Sequence, residues 1–202
     1  MGLANSAGLS PQVAYPARIL ASALVLAVCS RRLIAWRPSR PWTSVLIGGA
    51  VFAVWIAPDV VFPAYRQFWL FSNPVTGMAQ SSLPVGARTG ALFILFRLAG
   101  SSLVVPILEE LFWRAWLMRW LIAPDFATVR LGTYAARAFW ITAVLFAAEH
   151  GPYWDVGLAA GVAYNWWMIR HRSLADCILA HAVTNLCLGA WVLAAGAWQY
   201  WL

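Results

Sequence analysis

Charged side chains are scarce in this 202-residue chain. They make up 10% of it, and lysine is absent, so all 14 basic residues are arginines. A soluble domain carries about 25% charged and about 45–50% apolar residues, whereas the apolar share here is 62%. That shortage excludes an ordinary soluble domain. It implies an all-α integral membrane protein, a polytopic transmembrane helix bundle of about six to seven spans. The net charge of +7 marks cytoplasm-facing loops and contact with anionic lipid headgroups, so the bilayer is the first expected partner. No basic, aromatic-interleaved soluble module is left over, which excludes nucleic acid as a partner.

Cysteine is scarce as well. Cys29, Cys177 and Cys187 each lie in an apolar run, and no CxxC pair occurs. Cys177 and Cys187 would stand about 15 Å apart on one helix, too far to bridge. The three read as small core residues, not as a disulfide framework or a thiolate metal site. The first twelve residues carry no basic n-region and no clear cleavage site, so the first apolar run reads as a retained anchor. Internal repeats and low-complexity segments are absent. The organisation expected is one membrane domain, 1–202, with accessory spans and a loop over 13–89 and a motif-bearing core over 90–196.

Apolar runs place spans at 13–30, 45–57 (or on to 62), 90–105, 107–122, 134–149, 154–170 and 174–196. Gly48 and Gly49 are expected to allow close helix contact. Residues 58–89 are the least hydrophobic stretch and read as a loop with an interfacial segment around 65–71. Pro106 is either a kink in one long element or a true turn. Two arginine-rich turns, 31–41 and the one at Arg170 and Arg172, are expected on the cytoplasmic side; with Pro106 as a kink, parity puts both there. The 14 Trp, with a cluster at Trp113, Trp116 and Trp120 and another at Trp198 and Trp201, fit interfacial anchoring.

The charge that remains is concentrated. Residues 106–120, PILEELFWRAWLMRW, put Glu109, Glu110 and Arg114 inside an apolar helix, where a charge costs at least about 2.5–3.5 kcal/mol. Glu110 and Arg114 are four apart and can pair on one face. Glu109 is then left over, roughly 100° away on the helix, and a spare buried carboxylate can act as a base. The third and last glutamate, Glu149, adjoins His150 but is expected to point elsewhere, without a role.

Two further segments each bear a histidine with a partner at i and i+4, hence on one helix face: Phe146 with His150, and His181 with Asn185. Taken singly, each has a plain structural reading. Glu110–Arg114 is an intrahelical ion pair, Glu109 an interfacial helix start, His181 and Asn185 interhelical hydrogen-bonding groups, and Phe146 a packing residue. His171, between two arginines, is a solvated loop residue. The weight lies in the conjunction of a spare carboxylate, two imidazoles and an amide in so short a membrane chain.

These motifs, EExxxR (Glu109, Glu110, Arg114), FxxxH (Phe146, His150) and HxxxN (His181, Asn185), occur intact and in the order found in the type II CAAX prenyl proteases and bacteriocin-processing (Abi) enzymes, which the chain resembles over residues 90–196. The wording around them resembles a bacterial subgroup associated with exosortase protein-sorting systems. The resemblance implies an intramembrane endopeptidase of the bacterial inner (cytoplasmic) membrane, acting on a membrane-anchored protein or peptide. It implies that Glu109 and His150 activate a water, that His181 and Asn185 form the oxyanion hole, and that Glu110 and Arg114 support the acidic helix. Such a couple is a sensible general base, and such donors suit a tetrahedral oxyanion.

A metal is not required by this scheme, and no cofactor is expected. Were zinc present, Glu109, His150 and His181 would be its ligands, although the HExxH spacing is lacking. Two other readings stand beside the protease. One is a non-catalytic membrane scaffold or immunity protein of the same fold. The other is a small transporter or proton relay, which calls for pseudo-symmetric broken helices, where only the Pro106 break is present.

Overall fold

The computed structural model describes residues 11–30, 35–81, 83, 86, 88 and 90–201. Arg31 and Arg32 of the first basic turn and the first ten residues lie outside the described residues. Six helical elements follow in order: α1 (Pro11–Cys29), α2 (Pro41–Val61), α3 (Ala91–Trp120), α4 (Ala136–Ala148), α5 (Trp154–His171) and α6 (Leu174–Ala195). No strand occurs among the described residues. Three helices, α2, α3 and α6, are long and apolar enough to cross a membrane. Helix α4, at 13 residues, is about 20 Å long and falls short of a hydrocarbon core of about 30 Å.

Pro106 does not end a helix. Backbone helix runs from Ala91 to Trp120 without a break, so the runs at 90–105 and 107–122 are one element. The chain accommodates the proline by widening the preceding turn into a π turn, Gly100–Val104, with Val105 N–H donating to Gly100 O. A second π stretch, Leu111–Leu117, follows the two glutamates. π turns concentrate at functional positions. Here the first one has a geometric effect. On a regular α-helix Arg97 and Glu109, twelve apart, would differ by roughly 120° in direction; one extra residue in a π turn cuts that to roughly 20°. Arg97, Ser101, Val105 and Glu109 accordingly form one stripe on one side of α3.

Helix α2 lies against α6 at close range. A Cβ built on Gly48 would come within 2.3 Å of Ala180 O, whereas one on Gly49 would meet nothing. Close approach therefore rests on Gly48 alone. Ser173 caps α6, accepting from Asp176 N–H. Asp176 in turn reaches the start of α2, where it accepts from Ser39 N (3.1 Å), Ser39 Oγ, Arg40 N (2.9 Å) and Ser44 Oγ (3.2 Å). Helix starts leave orphan N–H groups, and here a carboxylate more than 130 residues away satisfies them. Asp176→Ala is expected to cost about 2–4 kcal/mol, through the lost cap and the donors left buried. A thermal melt in detergent reads this as a lowered midpoint, and an unchanged midpoint refutes the capping role.

The connection after α2 folds back onto the bundle. Arg66 is buried, with Nε 2.9 Å from Asp59 Oδ1 and Nη1 bonded to Asp155 and, at 2.8 Å, to Pro152 O. Its guanidinium lies over Tyr65, Phe71 and Tyr153. The expected interfacial segment around 65–71 is thus anchored from within, while Phe68 and Trp69 point outward. This anchor holds the Gly151–Tyr153 turn that leads out of His150.

Candidate active site

A cavity of about 380 Å³ lies between α1, α2, α3, the α4–α5 turn and α6. Its walls include Glu109, Glu149, His150, His181 and Asn185, with Tyr200 and Trp201 of the C-terminal segment closing one side. All four residues expected to be catalytic therefore reach one cavity.

Beside the cavity sits an ion pair with no solvent access. Arg114 Nη1 is 3.1 Å from Glu110 Oε1, and both side chains are fully buried. Arg114 also donates through Nε to Asn165 Oδ1 at 3.1 Å. Asn165 Nδ2 donates onward to Phe139 O at 2.8 Å. The guanidinium stacks over Phe146, 4.7 Å from the ring centre, which gives that residue a charge-facing role besides packing. Asn165 is absent from the sequence expectations. A lone amide among YNWW on an apolar helix was the available signal, and its partner lies 51 residues away.

Glu110 also accepts from His181 Nδ1 at 2.9 Å. Because the carboxylate of the ion pair accepts, Nδ1 carries the hydrogen and Nε2 faces the other way. It lies 3.9 Å from Glu109 Oε2. Tyr164 stacks on the imidazole at 5.0 Å and hydrogen-bonds Thr184 at 2.7 Å, fixing the ring plane. Glu109 Oε2 is buried and meets no hydrogen-bond partner among the described residues. Glu110 thus supports His181 as well as Arg114.

His150 stands past the end of α4, which finishes at Ala148. Its Nδ1 lies 2.7 Å from Phe146 O. A carbonyl only accepts, so Nδ1–H is the donor and Nε2 is the free basic nitrogen. Trp55 and Phe146 flank the ring at 5.1 and 4.7 Å.

Glu149 departs from expectation. Regular helical twist turns it away from His150, but the helix has ended before it, and the side chain lines the cavity. Its Oε1 accepts from Trp113 Nε1 at 3.2 Å, one turn beyond Glu109 on α3. Asn185 Nδ2 donates to Ser101 O at 2.8 Å, so one of its two N–H groups is committed. His171 closes α5 against Trp167, 4.1 Å between ring centres, and is absent from the cavity walls.

The conditional zinc set, Glu109, His150 and His181, does not form a ligand cluster: no group of three or more His, Cys, Asp or Glu is placed to hold an ion among the described residues.

Residues 89–187 match the family model described as Type II CAAX prenyl endopeptidase Rce1-like. The matched segment holds Glu109, Glu110, Arg114, His150, His181 and Asn185 and leaves α1 and α2 outside. No curated protein and no solved structure gives a significant match to the chain. Residues 89–187 are thus an Rce1-like type II CAAX prenyl endopeptidase domain.

Proposed function

We propose that this protein is an intramembrane endopeptidase that hydrolyses a peptide bond in a membrane-anchored protein, in a bacterial inner membrane. The observation that carries the reading is Glu109, a carboxylate that lines the cavity and whose Oε2 is buried without a protein hydrogen bond among the described residues. An acceptor in such a position takes a proton from water bound beside it.

In the proposed reaction Glu109, with His150 Nε2 as the second acceptor, removes a proton from water. The hydroxide adds to the scissile carbonyl carbon and the carbonyl oxygen becomes an oxyanion. Collapse breaks the C–N bond, and the proton held by Glu109 passes to the leaving amine. Asn185 offers its second N–H to the oxyanion. His181 joins it as a donor only with hydrogen on Nε2, which makes the ring a cation between Glu110 and Glu109. Glu110 and Arg114 keep His181 and the acidic helix in place.

The route uses no metal, and no step is assigned to one. The chain purified in detergent, given tail peptides of membrane-anchored proteins, should cleave with and without chelator. His150→Ala should lower the rate about 10²–10⁴-fold, the usual worth of a general base. Mass spectrometry of the products locates the bond. Activity lost on chelation and restored by zinc overturns the metal-free route. Folded protein that cleaves no peptide of a broad set favours a non-catalytic scaffold or immunity role instead.

A further inference from the structure

Pro106 stands three residues before Glu109 inside an unbroken helix. An interior proline withholds an N–H and crowds the carbonyl one turn back. The π turn relieves the crowding but leaves a gap. With Val105 N–H on Gly100 O, Ser101 O is next in that register, and its donor would be the N–H that residue 106 lacks. A carbonyl in an apolar interior is costly without a donor. Asn185 Nδ2, from α6, donates to Ser101 O at 2.8 Å.

We propose that Asn185 is a positioning residue: its amide closes the hydrogen-bond gap that Pro106 opens at Ser101, and so fixes the π turn that aims Glu109 into the cavity. The turn is held from the opposite side by α1, where a Cβ on Gly100 would come within 2.6 Å of Ile19 and 2.8 Å of the Tyr15 hydroxyl. Asn185 supplies the polar half of the same clamp. Relaxation of the turn to α-helix would rotate the segment before it by roughly 100° against Glu109. Only the consequence for catalysis rests on Glu109 being the base; the clamp itself does not.

The test is a double-mutant cycle on full-length protein in detergent, with Asn185→Ala and Pro106→Ala, read by amide hydrogen exchange over residues 99–110. In Asn185→Ala that segment should exchange about tenfold faster, the scale of one lost hydrogen bond. In the Pro106→Ala background, where alanine restores the missing N–H, the same substitution should change exchange less than about threefold. Asn185→Asp keeps the volume, lacks the donors as a carboxylate, and should behave as Asn185→Ala does. Equal acceleration in both backgrounds, or none in the first, overturns the clamp. Neither reading needs a substrate, so a failure of the protease proposal would show separately, as absent cleavage beside intact coupling. Where cleavage is measured, the clamp predicts a fall in kcat for Asn185→Ala at unchanged KM, partly recovered in Asn185→Ala/Pro106→Ala. Failure of that recovery overturns the clamp's part in catalysis and leaves the effect of Asn185 on the rate to its contact with substrate.

Discussion

Glu109→Gln is expected to lower the cleavage rate by about 10³–10⁴-fold while the protein folds as well as before. The first part follows from removing the acceptor of the water proton, for which glutamine offers only a weakly basic amide oxygen. The second follows from the surroundings of the carboxylate. Glu109 Oε2 is buried without a hydrogen-bond partner among the described residues, and its approach to His181 Nε2 is 3.9 Å. A charge so placed contributes little to folding, because its desolvation is offset by no close pair. Thermal midpoint and cleavage should therefore separate, the midpoint level or slightly raised and the rate collapsed. Retention of the rate within about tenfold would remove Glu109 from the base role, since the expected loss is far larger.

Arg114→Met should produce the reverse pattern, with stability lost first. Arg114 is fully buried and serves Glu110, Asn165 and the carbonyl of Gly161. Removing one partner of a buried pair leaves the other as an uncompensated charge, at about 3–5 kcal/mol. Native stability is only about 5–15 kcal/mol, so Arg114→Met should lose much of it. Glu110→Gln combined with Arg114→Met removes the stranded charge and should recover most of the loss. Denaturant titration in detergent of the two single variants and the double one measures the coupling. Additive losses would mean that the pair is not the unit it looks to be. Because Glu110 also orients His181, the double variant should stay slow at cleavage even where its fold is restored.

The helical class and the membrane location were legible from composition, whereas the meeting of Glu109, His150, His181 and Asn185 at one cavity was implied by the family resemblance of their motifs and not by spacing, which only pairs residues on single helix faces. What the spacing could not carry is the departure from regular α-helix. The period of 3.6 residues sends Arg97 and Glu109 to different faces, and only the π turn at Gly100–Val104 brings both to the cavity. The same period turns Glu149 away from His150, and the early end of α4 cancels that inference. Partnerships across long stretches of chain were silent for a different reason. Asp176 with Ser39, Arg114 with Asn165 and Asn185 with Ser101 each join polar groups far apart in the chain, with no shared motif or spacing to connect them. In an interior without water each needs a partner, but the need does not name it.

The widened turn in α3 also sets how the gene tolerates change in length. Deleting one residue between Gly100 and Val104 would leave both halves of the helix intact, with hydrophobic content and circular dichroism little altered. The π turn holds one residue more than α-helix needs, so the deletion returns the stretch to α register, and Arg97 and Glu109, then eleven apart, still differ by only roughly 20°. A codon-deletion scan along α3 should therefore meet a short tolerant window at Gly100–Val104, where the extra residue can be given up, flanked by positions at which one deletion turns the helix faces by roughly 100°.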